Sequence, residues 1–242
     1  MTMILNHRQT SNHAEYLIFE TRLRERYVAT GIQHYFLDGP VTDAYWSSKP
    51  RVAVLNLEAY GYEKCAEVRL DINIIGDWMK ATGGKIKTKT TRYTAVFLAG
   101  LIKALETKSQ VSPEALKNCY SDLPRLMAAM SQIAYVNIRK TSNSVSTQDV
   151  KSIKREATGE GLSLLQEQFR ILDPELIIVG GLLGCDAANG IFEMRGNLRF
   201  EGCQSLINGS RILSVRHFSR IKYTRMSAAI DLVAEIPPIR AP

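Results

Sequence analysis

The sequence predicts a three-layer α/β/α fold built around a central four-stranded parallel sheet. The chain has 242 residues, of which 45% are hydrophobic, and this is enough for one well-buried core. Four short apolar segments have the pattern of strands, and longer stretches with helical periodicity separate them. Strands that alternate with helices require crossover connections, so the sheet should be parallel with helices on both faces.

The four predicted strands are bounded by turn residues or lie between helical stretches. The first strand, 51–58, lies between Pro50 and Gly61, as a buried parallel strand often does. The other three are predicted at 133–138 (IAYVNI), 175–181 (ELIIVGG) and 211–215 (RILSV). Residues 37–50 are expected to form a loop that leads inward, and residues 190–209 a small hairpin with turns.

The helices are predicted from apolar spacing and from end signals. After a loose first dozen residues, a helix over 13–30 should end at Gly31. In the stretch 112–131, Ser112 is the expected N-cap and Pro113 the first helical residue, and Pro124 should break or kink the helix. The remaining predicted helices are 94–107, 148–172 and 224–234.

The basic residues are concentrated in three windows. Residues 80–93, 139–155 and 211–225 hold fifteen of the 31 lysines and arginines but a single acid, Asp149, although the net charge of the whole chain is only +7. If the windows converge in space, their field attracts a polyanion such as nucleic acid. Three separate solvated loops would have the same composition, so charge alone leaves both interpretations open.

The cysteines and the N-terminus indicate a cytosolic protein without a metal cofactor. Cys65, Cys119, Cys185 and Cys203 form no CxxC pair, which favours buried reduced thiols over a zinc or iron–sulfur site. The sequence has no apolar run long enough to span a bilayer and no secretory signal. We therefore expect a cytoplasmic protein that needs no cofactor and no membrane.

Polar residues follow three of the predicted strands, where a parallel sheet binds its ligands. Glu58 lies at the end of the first strand, Asn137 at the end of the second, and His217 just after the fourth. A carboxylate can position a water, an amide can read the edge of a base, and a neutral imidazole can donate to a charged leaving group. Each residue also has an ordinary structural role, as a cap, a turn former or a packing group.

The same residues resemble the motifs of the uracil-DNA glycosylase superfamily between about Lys49 and Tyr223. The segment LEAYG at 57–61 is similar to the family motif G-E-A-P-G, and YVNIRK at 135–140 is similar to I-T-N-x-x-K. PELIIVGG at 174–181 matches P-x-x-I-x-x-x-G, and HFS at 217–219 resembles H-P-S. The resemblance implies one glycosylase-like domain over 1–242 with an N-terminal helical extension, 1–48. The long spacing from Glu58 to Asn137 implies an insertion over 76–130.

The resemblance implies a DNA glycosylase, with a role for each matched residue. Glu58 would orient the attacking water, Asn137 would read the base, and His217 would stabilise the departing base. Candidate substrate-binding residues are Asn56, Tyr60, Tyr62 and Ser219, and Trp78 is a further candidate for stacking on the base. Candidate DNA contacts are Arg216, Arg220, Ile221 as the wedge, Lys222, Lys85, Lys87, Lys89, Arg92, Arg139 and Lys140.

Because the chain departs from the family motifs, the sequence does not determine which base would be removed or whether the chain is an active enzyme. Leu57, Tyr60 and Phe218 replace family residues, and Thr141 stands near the position where the iron–sulfur branch has a cysteine. An altered pocket would suit a deaminated purine, as in repair, or a bulky modified pyrimidine, as in defence against viruses with modified DNA. The alternatives are a DNA- or nucleotide-binding module of the same fold that does not cleave, and a small-molecule nucleotide hydrolase.

Overall fold

The computed structural model describes the backbone of residues 2–60, 67–80, 86–143, 150–194, 197–206 and 208–234, and the side chains of these except 2–10, 58–60, 86–88 and 142–143. The described chain has the predicted α/β class. Its strands are β1 Tyr35–Leu37, β2 Gly39–Pro40, β3 Val52–Tyr60, β4 Glu67–Arg69, β5 Ile133–Asn143, β6 Leu176–Gly180, β7 Cys203–Ser205 and β8 Arg211–Val215. Its helices are α1 Thr2–Ala29, α2 Ala44–Ser47, α3 Ile72–Lys80, α4 Ile86–Thr107, α5 Pro113–Cys119, α6 Leu123–Ser131, α7 Val150–Glu156, α8 Gly159–Leu172, α9 Leu182–Ile191 and α10 Tyr223–Ala234.

The sheet is mixed and larger than the sequence predicts. The four predicted strands correspond to β3, β5, β6 and β8, which lie side by side in the order β5-β3-β6-β8 with parallel pairing throughout. Short strands extend both edges: β7 is antiparallel to β8, β1 and β2 are antiparallel to β5, and β4 is parallel to β1. The added strands have two or three residues each, too few for a periodic pattern to reveal.

Both faces of the sheet are covered, because alternate residues of the central strands enter two different apolar clusters. In β3, Val52 and Val54 belong to the first cluster, and Ala53 and Leu55 to the second. The first cluster is completed by α3, α4, α5, α6 and α10, and the second by α1, α2, α7, α8 and α9. Segments 1–48 and 76–130 therefore supply core helices, one segment to each face.

Several predicted boundaries are corrected. Helix α1 begins at Thr2 rather than at 13, and α4 begins at Ile86 rather than at 94. The stretch predicted as one helix over 148–172 is α7 followed by α8, because the chain is extended at Thr158, with φ −132° and ψ 165°, and Gly159 after it has a left-handed φ of +54°. The Ser112 cap is confirmed, since its side chain accepts a hydrogen bond from the backbone N–H of Ala115 at 3.2 Å.

The central strands bring the candidate site together at one edge of the sheet. Because β3, β5, β6 and β8 are parallel, their carboxyl ends lie at the same edge. The register between β3 and β5 shifts at this edge: the step from Glu58 to Tyr60 in β3 corresponds to the longer step from Arg139 to Asn143 in β5, so the extra residues of this bulge lie in β5. Bulges of this kind often occur next to active sites, where they redirect side chains.

Candidate active site at the carboxyl edge of the sheet

The turn after β8 holds His217 in a defined orientation. His217 precedes a single 3-10 turn, Phe218–Arg220, and Phe218 is fully buried with its ring centre 5.8 Å from that of Phe97 in α4. On the other side, Gly181 approaches so closely that an added Cβ there would lie 3.5 Å from the Cβ of His217, and its φ of +80° also favours glycine. The end of β6 and the turn after β8 therefore pack directly against each other.

The hydrogen bonds of His217 define its tautomer. The backbone N–H of Ser219 donates to Nδ1 at 3.4 Å, and the Ser219 hydroxyl lies 2.8 Å from the same nitrogen. A backbone N–H can only donate, so Nδ1 is the acceptor and Nε2 carries the proton of the neutral ring. Burial and the positive charge of Arg220 both lower the pKa of His217. The residue is therefore a neutral imidazole with an Nε2–H donor at neutral pH.

The ends of β3 and β5 contribute the next group of polar side chains. Asn56 and Asn137 are register partners, as are Glu58 and Arg139 two residues further along. The buried phenol of Tyr135 hydrogen-bonds with the side chains of Asn56 and Thr91, which connects these strands to α4. The side chains of Glu58 and Tyr60, and the whole of Tyr62, lie outside the described residues.

Asn137 is buried and is held by a carboxylate that sequence reasoning missed. Its backbone N–H and its Nδ2 both donate to Oδ2 of Asp38, at 2.6 and 2.9 Å. A carboxylate oxygen accepts but does not donate, so the amide must turn Nδ2 towards Asp38. The amide orientation of Asn137 is thereby fixed by a residue in the segment before β3.

Asp38 is the centre of a buried polar network. Lys140 Nζ contacts Asp38 Oδ1 at 2.5 Å, Gln168 Oε1 at 2.7 Å and the backbone carbonyl of Asn137 at 2.9 Å. Gln168 Nε2 donates to the Tyr16 hydroxyl and to the Asp38 carbonyl, and the Tyr16 hydroxyl also donates to that carbonyl. Three hydrogen bonds use all three N–H groups of the ammonium, although burial lowers the pKa of Lys140 against the opposing effect of Asp38.

Two of the predicted DNA contacts do not fit their positions. The side chain of Lys140 is 4% exposed and is engaged by Asp38, so it has no face for a phosphate. Ile221 is 5% exposed and belongs to the first apolar cluster, so in this conformation it is a core residue rather than a wedge. A sequence motif gives the type of a residue but not its burial. The resemblance therefore could not show that Lys140 and Ile221 face the core rather than the solvent.

The remaining cations beside His217 lie at the surface. Arg216, Arg220 and Lys222 are exposed. Glu201, which has a left-handed backbone conformation with φ +56°, accepts hydrogen bonds from Arg216 Nε at 3.1 Å and from Arg225 at 2.7 Å. One acid therefore joins two cations of the third basic window.

Two of the three basic windows meet beside this turn. Tyr93 of α4 stacks on Tyr223 of α10 with ring centres 5.6 Å apart, which places window 80–93 against window 211–225. Lys89 and Arg92 lie over tyrosine rings of the same cluster. In the remaining window, Arg139 Nε donates to the Thr141 hydroxyl at 3.0 Å.

The other predicted residues are distributed as follows. Trp78 in α3 is partly buried against the first apolar cluster. Cys119, Cys185 and Cys203 are free thiols, and burial raises the pKa of each. Lys85, Cys65 and the side chain of Lys87 lie outside the described residues. Within the described chain, no three His, Cys, Asp or Glu side chains are grouped as a metal site requires, and no helix is long and apolar enough to cross a membrane.

Comparisons with known proteins add no family assignment. Neither a protein-family model nor a curated protein sequence matches the chain.

Proposed function

We propose that this chain is a DNA glycosylase that hydrolyses the N-glycosidic bond of a deaminated or modified base. The observation that carries the proposal is the neutral, oriented His217 at the carboxyl edge of a parallel sheet, with exposed cations on both sides of it in the sequence. Both features suit the chemistry of base removal: a donor stabilises a leaving base that becomes negative, and cations bind the phosphates beside it.

In this mechanism the base first leaves the helical stack, at a cost of a few kcal/mol. As the bond to the sugar breaks, the Nε2–H of His217 donates to the base and stabilises its developing negative charge. A neutral imidazole suits this role because its tautomer is already set by Ser219, so no proton must move before the bond breaks. Glu58 orients the water and balances the cationic sugar, and the exposed Arg220 and Lys222 bind flanking phosphates.

Asn137 is 1% exposed, so in this mechanism the site must open before the residue can read a base, and its fixed amide then offers the acceptor Oδ1. Since Nδ2 is turned towards Asp38, the acceptor Oδ1 is turned away from it. A base read by Oδ1 must offer an N–H on its edge. Uracil and deaminated purines carry a ring N–H, and cytosine derivatives carry an exocyclic amine, so both substrate classes raised by the sequence satisfy this condition.

The test is a cleavage assay on labelled duplexes and single strands that each carry one altered base, with alkali cleavage at abasic sites as the readout. The panel contains uracil, hypoxanthine, xanthine, and hydroxymethyl- and glucosylated cytosine. Glu58→Gln and His217→Gln should each lower turnover by roughly 100-fold or more while DNA affinity changes little. Glu106→Gln removes an exposed acid near the end of α4 and serves as the matched control. Full activity in both site variants would refute the mechanism.

A second candidate function is a DNA-binding module of the same fold that does not cleave. The burial of Asn137 and Lys140 favours it, because two residues of the strand-end motif are engaged within the protein. Such a module would bind DNA with a strong salt dependence, would leave every member of the panel intact, and would be insensitive to Glu58→Gln.

A further inference from the structure

Three tyrosines and two cations form a cluster beside the turn that holds His217. The ring of Tyr93 stacks on Tyr223 at 5.6 Å and meets Tyr120 edge-on at 5.4 Å. Lys89 Nζ lies 5.8 Å from the centre of the Tyr93 ring, and the guanidinium carbon of Arg92 lies 4.9 Å from the centre of the Tyr120 ring. We call these five residues the tyrosine platform.

The tyrosine platform contains a donor without a partner. The Nε of Arg92 is buried and has no hydrogen-bond acceptor among the described residues. An arginine that only braced α4 against α5 would be expected to satisfy such a donor, because a buried donor without an acceptor costs stability. Arg92 as a whole is only partly buried, so a movement of the guanidinium that brings Nε to the surface would let a phosphate oxygen satisfy it.

The tyrosine platform adjoins the candidate active site. Phe97 lies one helical turn after Tyr93 in α4 and contacts Phe218, the residue next to His217. Tyr223 follows directly on the exposed Lys222, which the proposed function assigns to the DNA backbone. A strand whose target base faces His217 would therefore continue across these rings.

We propose that the tyrosine platform binds unpaired nucleotides that flank the target base. Tyr223 is partly buried against the first apolar cluster. A base stacks on the part of its ring that stays accessible and extends the Tyr93–Tyr223 stack, while Arg92 and Lys89 bind the phosphates on either side. Stacked aromatic rings combined with cations are how proteins hold single strands without regard to sequence. This proposal rests on the proposed function, because it takes DNA as the ligand. What it adds is that the nucleotides beside the target base are unpaired.

The experiment measures the affinity of the full chain for a labelled oligothymidine of about 12 nucleotides, a length within the usual site size, and for a duplex of equal length without altered bases. Tyr223→Leu removes the ring face and keeps apolar volume, whereas Tyr223→Phe keeps the ring. Arg92→Gln is compared with Lys103→Gln, which removes an exposed charge further along the same helix. Thermal unfolding of each variant checks that it is folded.

Tyr223→Leu should weaken single-strand binding by roughly 5- to 150-fold, as expected for one stacked base, with a much smaller effect on the duplex. Tyr223→Phe should bind as the wild type does, and Arg92→Gln should lose more affinity than Lys103→Gln. Unchanged binding by both Tyr223→Leu and Arg92→Gln overturns the proposal, and so does an equal loss on single strand and duplex.

The cleavage panel separates this proposal from the glycosylase proposal. If the wild type cleaves an altered base and the Tyr223→Leu and Arg92→Gln variants bind single strands normally, only the tyrosine platform is wrong. If the wild type cleaves nothing and these variants lose single-strand affinity selectively, the platform is supported and the glycosylase reaction is wrong.

Discussion

The buried ion pair of Lys140 and Asp38 gives the sharpest prediction about stability. The two side chains are 4% and 0% exposed, and Asp38 accepts hydrogen bonds from Asn137, Lys140 and Gln168. Removing one partner of such a pair leaves an uncompensated charge in the core, which typically costs about 3–5 kcal/mol. We therefore expect Lys140→Met and Asp38→Asn each to lower the free energy of unfolding by about that amount.

The double variant should recover much of the loss. In Asp38→Asn/Lys140→Met no buried charge is left, and the new amide oxygen can still accept from the backbone N–H of Asn137. The combined loss should then be smaller than the sum of the two single losses by about 2 kcal/mol or more.

Urea denaturation followed by circular dichroism measures the four members of this cycle. Each single variant should also unfold roughly 6–20 °C below the wild type, given the size of the chain. The matched control is the exposed pair of Arg22 and Glu167, where Arg22→Gln should cost less than about 1 kcal/mol. Losses in the single variants that add within about 0.5 kcal/mol in the double variant would show that the two charges do not stabilise each other.

Three further predictions concern pH, DNA affinity and a helix cap. Burial and Arg220 lower the pKa of His217 below its ordinary 6.5, so the folded state binds fewer protons than the unfolded state below about that pH. The free energy of unfolding of the wild type, measured by urea titration, should fall as the pH drops below 6.5, and that of His217→Gln should fall less. An equal fall in both proteins would contradict a lowered pKa of His217. Glu201→Gln should release Arg216 and Arg225 and steepen the salt dependence of DNA binding by about one unit of slope, and an unchanged slope would contradict it. Ser112→Ala should lower the stability of the chain by about 1 kcal/mol through loss of the α5 cap, and an unchanged urea midpoint would argue against the cap.

The central strands could be predicted because their sequence signal is local. A strand buried on both faces is a continuous apolar run, and β3, β5, β6 and β8 all begin within a residue of their predicted positions. The Ser112 cap is equally local, since a hydroxyl before a proline specifies a helix start without reference to the rest of the chain. Gly159 is also a local indication of the break between α7 and α8. The helical periodicity on both sides of it nevertheless predicts one continuous helix.

The buried polar network could not be predicted, because its members are distant in sequence. Tyr16, Asp38 and Gln168 come from α1, from the segment between β1 and β2, and from α8, and only the folded chain brings them to Asn137. Nothing near Asp38 in the sequence distinguishes it from an exposed turn aspartate. The motif around Asn137 predicts a base-reading residue, and that role stays a prediction; the partner that fixes its side chain, Asp38, lies 99 residues earlier in the chain.

Phe218 is one of the three substitutions, with Leu57 and Tyr60, that count against catalysis, and the packing around Phe218 weakens its part of that case. A proline after the histidine would restrict the backbone of the turn by its ring. In this chain the turn is held instead by a fully buried phenylalanine that packs on Phe97 and lies against Gly180. His217 still receives the hydrogen bond from the Ser219 backbone that sets its tautomer. A side chain that anchors the turn in the core can therefore replace a rigid ring without disturbing the imidazole, so the substitution is compatible with an active enzyme.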